Sequence, residues 1–170
     1  MREVPPLPEP EPVDPTAAPD LSRKVDETFG PDGALAGSLP SFEARDGQRE
    51  MAVSVAEAFE EGGVLLAEAG TGTGKTLAYL VPAILSQHRV LVSTGTKQLQ
   101  DQIYYKDLPA LREALRIAFT ATYMKGRSNY LCLHRFDDYK SGATLLPTGS
   151  EAFLDTIAEW ARETDTGDRS

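Results

Sequence analysis

The chain has 170 residues and a net charge of −9, room for about one domain of ordinary size if most of it folds. No stretch approaches the ~20 apolar residues of a membrane span, and the N-terminus lacks the apolar core of a signal peptide, so the expectation is a cytoplasmic protein with no membrane partner. The single cysteine, Cys132, excludes an internal disulfide and fits a reducing compartment.

The charge is unevenly spread. Residues 1–32 carry −5, residues 150–170 carry −4, and the middle holds twelve acids and twelve bases. A neutral middle permits a local basic groove, so charge neither supports nor excludes a nucleic-acid partner.

Nine of the twelve prolines fall in residues 1–40, and Pro5 to Pro19 alternates proline with acidic and small residues. Such a run cannot bury enough apolar surface to order itself, which predicts a disordered Pro/acid-rich tail over 1–20. A lead-in segment, 21–41, follows, with one short helix from Leu21 to Phe29 before Gly30, Pro31 and Gly33 interrupt it. From Asp46, which can cap a helix, Met51, Val55 and Phe59 recur on one face until Gly62 and Gly63 stop it. Val64 to Ala67 is short, apolar and entered from glycines, and reads as a buried strand.

Beyond the glycine-rich loop a helix runs from Lys75 to about Gln87, bent by Pro82. Arg89 to Ser93 reads as a second buried strand, and strand, loop, helix and strand at this spacing make one right-handed βαβ unit of a parallel sheet. Thr96 to Tyr105 offers Leu99 and Ile103 as an inner helix face, Asp107 to Leu115 is another helix, and Ile117 to Thr120 a third possible strand. Residues 121–149 are irregular by pattern. Ser150 to Arg162 reads as a capped helix with Phe153, Ile157 and Ala161 aligned. The fold class is α/β.

The segment Ala69-Gly70-Thr71-Gly72-Thr73-Gly74-Lys75-Thr76 has the ending and spacing of a P-loop, with alanine in place of the first glycine. Glycines let the backbone turn tightly enough to aim several N–H groups at phosphate oxygens, and the helix starting at Lys75 adds its positive end. Lys75 can place a mobile positive charge on the β and γ phosphates, and the Thr76 hydroxyl can take one position around Mg²⁺. A dinucleotide fingerprint fails, because the residue three after Gly72 is Lys75 rather than glycine. A guanine reader is missing as well, since Thr96-Lys97-Gln98-Leu99 ends in leucine. The loop alone leaves a small-molecule kinase open.

Three further segments resemble one family, the iron-sulfur superfamily 2 DNA helicases of the DinG/YoaA and XPD type, and the match spans about residues 30–135. Phe42 to Met51 is similar to the family's R-x-x-Q-x-x-M element, which implies that Gln48 reads the adenine edge, with Phe42 or Arg45 near the base; a side-chain amide both donates and accepts, as that edge requires. Ser93 to Gln102 resembles motif Ia, which implies that Thr94, Thr96, Lys97 and Gln98 hold phosphates of single-stranded DNA; Thr94 or Thr96 can cap a helix as well, and the two roles are compatible. Lys125-Gly126-Arg127-Ser128-Asn129-Tyr130-Leu131-Cys132 is similar to K-G-R-x-N-Y-x-C, where the cysteine is the first ligand of a 4Fe-4S cluster. A cluster takes four thiolates, and one is present. Lys125, Arg127, Tyr130 and Arg135 would also suit a strand-binding surface.

The resemblance implies a P-loop (RecA-like) parallel sheet flanked by helices and here incomplete, with 42–122 as the start of the ATP-binding domain and 123–170 as the start of an iron-sulfur insertion. It also implies ATP and Mg²⁺ as ligands, single-stranded DNA as partner, and 5′-to-3′ movement in DNA repair. The acidic metal-binding motif, a second RecA-like domain and an arginine finger are not visible. Asp137 and Asp138 are expected on a solvated helix or loop. The ending Gly167-Asp168-Arg169-Ser170 is abrupt, and the chain reads as an N-terminal fragment that grips ATP without turning it over; a non-catalytic nucleotide- or DNA-binding piece is the remaining alternative.

Overall fold

The computed structural model describes residues 20–39, 42–142 and 151–169. The tail over 1–19 and the capping Ser150 lie outside the described residues. Two compact units divide the chain, Met1–Ala121 and Thr122–Ser170. No helix among the described residues is long and apolar enough to cross a membrane.

In the first unit, helix α1 (Leu21–Phe29) and the short α2 (Ala34–Ser38) meet at a tight corner. A side chain on Gly33 would overlap the backbone carbonyl oxygens of Glu27 and Thr28, so only glycine allows this approach. Helix α3 (Asp46–Glu61) packs against both α1 and helix α4 (Lys75–Leu85). The buried face of α3 is Gln48, Ala52 and Ala56, while Met51, Val55 and Phe59 are half-buried along its flank. The expected stripe is thus turned by one residue. Alanines let two helices approach α3 at once, and the larger side chains fill the edges of those contacts. The helix begins at Asp46 with Arg45 at its cap position, so Asp46 supplies a negative charge to the first turn instead of capping it.

Helix α4 buries Ala78, Leu80, Val81, Pro82 and Ile84. Ala78, Leu80, Val81 and Ile84 form one core with Val25, Phe29, Leu35 and Leu111, each large side chain contributing roughly 1.5–3 kcal/mol by leaving water. Helix α5 (Lys97–Gln102) passes through a π-helical turn (Ile103–Asp107) into α6 (Leu108–Leu115). Ile103 is buried and Leu99 packs against the same core.

No strand forms among the described residues. Val64–Ala67, Arg89–Ser93 and Ile117–Thr120 are without regular structure or a ladder. Val64, Leu66 and Leu91 are 89%, 92% and 94% exposed, while Ile117 and Phe119 lean on the core. A strand needs a neighbour to complete its ladder and, in a parallel sheet, cover on both faces. Without them neither its backbone groups nor its apolar side chains are satisfied, and the expected βαβ pairing is absent from these residues.

The second unit holds a 3₁₀ turn (Arg127–Asn129), helix α7 (Leu133–Lys140) and helix α8 (Glu151–Glu163). Helix α7 falls where the pattern suggested irregular chain. It buries one apolar residue, Phe136, with the Lys140 ammonium 5.6 Å from the ring centroid, too little for a periodic signal. In α8 Ala158 is the buried position, flanked by half-buried Leu154, Ile157 and Ala161, while Phe153 is exposed rather than aligned inward.

Candidate nucleotide site and the Cys132 loop

The glycine-rich loop is held from both sides by side-chain donors. Gly74 sits at the cap position of α4 in the left-handed region (φ 81°, ψ 22°), and a Cβ there would overlap the Gln48 amide. Both conditions select glycine. Gln48, 6% exposed, donates from Nε2 to the Gly74 carbonyl at 2.9 Å, and Arg45 Nη1 donates to the Gly72 carbonyl at 2.6 Å. Thr73 Oγ1 donates to the Gly70 carbonyl at 3.0 Å. Lys75 Nζ lies 2.5 Å from the carbonyls of Ala69 and Gly70. Four loop carbonyls are therefore taken up from within the first unit.

A cleft of about 610 Å³ opens here, lined by Leu39, Phe42, Glu43, Arg45, Gln48, Gly72 to Leu77, Leu99, Gln102, Lys106, Asp107 and Ala110. It brings together Gln48 and the loop from Gly72 to Thr76. Ala69, Gly70 and Thr71 lie outside the lining, the first two acting on Lys75 instead. Leu99, Gln102, Lys106, Asp107 and Ala110 were not foreseen in the sequence. Lys106 and Asp107 belong to the π-helical turn, which no periodicity announces, and the turn is tied to α5 by Gln102 Nε2 donating to Asp107 Oδ2 at 3.2 Å.

Thr96 caps α5, its Oγ1 accepting from the Leu99 N–H at 3.2 Å, and Thr94 Oγ1 donates to the Thr96 carbonyl at 3.1 Å. Lys97 and Gln98 are exposed. The capping alternative is thus realised by Thr96, with the two long polar side chains facing solvent beside it.

In the second unit Arg127 is exposed on the 3₁₀ turn. Lys125 is not available as a strand contact, which corrects that expectation. Its ammonium pairs with Asp168 at 2.8 Å, the two side chains 4% and 9% exposed, and its N–H donates to the Tyr130 hydroxyl at 2.8 Å. A charge this buried stays only where a partner compensates it. The same closure continues along the backbone: Leu131 N–H donates to the Gly167 carbonyl at 2.9 Å and Arg169 N–H to the Asn129 carbonyl at 2.8 Å. Tyr130 and Asp168 form an antiparallel bridge. The Gly167-Asp168-Arg169 segment, which looked like a mere ending, is the partner of the Lys125 loop.

Cys132 stands exposed at the cap position of α7 with a free thiol. No group of three or more His, Cys, Asp or Glu able to hold a metal occurs among the described residues. A 4Fe-4S cluster takes four thiolates, and the chain has one cysteine, so these residues do not hold a cluster by themselves. Mg²⁺ is a different case, because it is commonly bound by one or two protein oxygens plus phosphate oxygens and water; the half-buried Thr76 next to Lys75 fits that pattern.

The DEAD/DEAH box helicase family model matches residues 48–164, more than half of the chain. The chain belongs to the DEAD/DEAH box helicase family, whose nucleotide-binding domain is of the P-loop RecA-like kind and works with ATP and Mg²⁺. Among its relatives it is similar to ATP-dependent DNA helicase YoaA of Escherichia coli (strain K12), 45% identical over 85% of this chain and 23% of that protein. It is also similar to YoaA of Haemophilus influenzae, 40% identical over 88% of this chain and 23% of that protein. ATP-dependent helicase DinG of Mycobacterium tuberculosis is 42% identical over 74% of this chain and 22% of that protein. The chain thus spans about a quarter of the length of these relatives. No solved structure matches it. Family membership removes the small-molecule kinase that the loop alone left open.

Proposed function

We propose that the chain supplies the ATP-gripping part of an ATP-dependent DNA helicase of the DinG/YoaA type. The observation that carries this reading is the bond from buried Gln48 to the Gly74 carbonyl, beside Lys75 and over a cleft wide enough for a nucleotide. It joins the residue that would read adenine to the loop that would wrap phosphate.

In this reading the backbone of Ala69 to Thr76 surrounds the β and γ phosphates, and Thr76 gives its hydroxyl to Mg²⁺. Lys75 exchanges its two carbonyl partners for phosphate oxygens. The exchange is favourable, since ion-to-ion hydrogen bonds are stronger than those to neutral carbonyls. Gln48 reads the adenine edge while holding Gly74, with Phe42 and Arg45 near the base. Thr94, Thr96, Lys97 and Gln98 contact phosphates of single-stranded DNA, which they position without reading sequence; Arg127 adds a phosphate contact. Cys132 is one of four cluster thiolates, the others coming from outside this chain.

The finer features follow the same reading. Val64–Ala67, Arg89–Ser93 and Ile117–Thr120 are strands of the RecA-like parallel sheet, completed once further strands cover them. The division is 42–122 for the ATP-binding domain and 123–170 for the insertion. The working protein moves 5′ to 3′ on single-stranded DNA in repair, in the cytoplasm. The 170 residues alone bind nucleotide and unwind nothing.

The deciding experiment is DNA-stimulated ATP hydrolysis by the full-length protein carrying Lys75→Ala. Loss of the stimulated rate is the expected result; an intact rate overturns the assignment. Measurable unwinding by residues 1–170 would contradict the predicted inactivity.

A further inference from the structure

The family match begins at Gln48, yet three of the largest fully buried side chains of the first unit lie before it. Val25 and Leu35 are fully enclosed and Phe29 is 2% exposed. Helix α1 is fastened to α3 at both ends. At its start Glu60 of α3 accepts from the Leu21 and Ser22 N–H groups at 2.7 and 3.3 Å, donors that a helix leaves open at its first turn, and from the Ser22 hydroxyl at 2.9 Å. Further along, the Arg49 guanidinium forks onto both Asp26 oxygens at 2.5 Å, a geometry that fixes direction as well as distance. Arg49 follows Gln48, so this fork anchors the turn of α3 that carries the amide.

The other end of the lead-in reaches the cleft. Leu39 donates its N–H to the Leu35 carbonyl, and Phe42 donates its N–H to the Leu39 carbonyl, each at 2.9 Å. The Phe42 ring leans on Phe29 with centroids 6.2 Å apart and planes at 57°, the tilted arrangement that aromatic pairs favour. Leu39 and Phe42 both line the cleft, and Phe42 is the one aromatic residue in that lining. A planar base gains most from an aromatic face, whereas phosphates gain from the loop.

We propose that α1 and α2 form a positioning element for the base end of the nucleotide cleft. Leu35 seats Leu39 and Phe29 seats Phe42, the Asp26–Arg49 fork sets α3 under Gln48, and together they decide how tightly a base is held without touching the phosphates. This rests on the reading of the cleft as an adenine-nucleotide site. Phe29, Asp26 and Gly33 are positioning residues, acting through Phe42 and Gln48.

The test is calorimetric titration of the 170-residue chain with ATP and, separately, with inorganic tripolyphosphate, which has the phosphates and no base. Phe29→Leu keeps an apolar core residue and removes the ring contact; it should weaken ATP about three- to tenfold, the scale of one aromatic pair, and leave tripolyphosphate unchanged. Asp26→Asn, at a half-exposed position that cannot empty the core, should do the same about two- to threefold. Gly33→Ala, which forces the corner open, should give the largest change in the ratio. Equal losses for both ligands would mean a merely structural role and overturn the proposal, as would wild-type ATP affinity in Phe29→Leu and Asp26→Asn. If the unaltered chain binds tripolyphosphate no better than its Lys75→Ala variant, the phosphate-site reading itself fails and this proposal with it.

Discussion

Two lysines, each beside a glycine in a tight loop, have opposite fates. Lys75 is half-buried and rests on two neutral carbonyls of its own loop, Ala69 and Gly70. Lys125 is sealed in and spent on a carboxylate, Asp168. A lysine whose partners are neutral and local can be drawn off by a phosphate at small cost, whereas one whose partner is a buried counter-charge cannot leave without stranding that charge. The first loop leaves its lysine able to change partner, and the second uses its lysine to hold a shape.

The comparison can be broken in four places. Lys125→Met should be the most damaging, destabilising the second unit by about 3–5 kcal/mol because Asp168 is left buried and unpaired. Denaturant unfolding and amide exchange at Leu131 would report it. Replacing both partners, Lys125→Met with Asp168→Leu, should recover most of the loss, and a double variant as unstable as the single one would show that the pair is not what holds the loop. Lys75→Ala is expected to do the reverse: affinity for triphosphate falls roughly ten- to a hundredfold, the scale of a charge-assisted hydrogen bond, while the unfolding midpoint scarcely moves. A large drop in stability would mean that Lys75 too is structural.

Thr96→Ala comes next, removing the cap of α5 at about 1 kcal/mol, with Thr96→Ser close to neutral; denaturant unfolding followed in the first unit would separate the two. The mildest effect concerns acid. Hydrogen bonds from Arg49 hold the Asp26 carboxyl below its ordinary range, outweighing the opposing pull of burial, with a lesser contribution from the Arg49 charge. A depressed folded pKa means that the pair contributes fully above the unfolded value of roughly 3.9 and loses its contribution as pH falls through that value toward the folded one. Asp26→Asn should therefore lower stability slightly at neutral pH, where the pair contributes, and bring variant and wild type together below about pH 4; the effect is small because both side chains are more than two-fifths exposed. A steeper acid limb in the variant would reverse the sign.

Much of the helical layout was open to reading in advance, because it rests on local rules. Leu21–Phe29 ends at glycine, Asp46–Glu61 ends at Gly62, and α4 starts where a glycine yields to Lys75. Faces are less legible in the sequence than boundaries. The α3 stripe is one residue off because the identity of its neighbours, α1 and α4, decides which side is covered, and period alone cannot tell alanines that allow approach from larger residues that flank it. The three apolar runs show the same limit from the other direction. Their composition asks for strands, yet a strand is a property of a pair, and these runs have no ladder.

The site divides along the same line. Sequence by itself determined the candidate phosphate loop, since spacing, glycines, lysine and hydroxyl are all local and the proposed chemistry needs them in that order. It also singled out Gln48 and Cys132, through resemblance rather than through geometry. Tertiary structure alone decided that Gln48 grips Gly74, that the π-helical turn brings Lys106 and Asp107 to the cleft, and that Lys125 belongs to Asp168. Each of these joins residues far apart in the chain, and such contacts are set by which surfaces the core leaves facing one another, something no window of sequence contains.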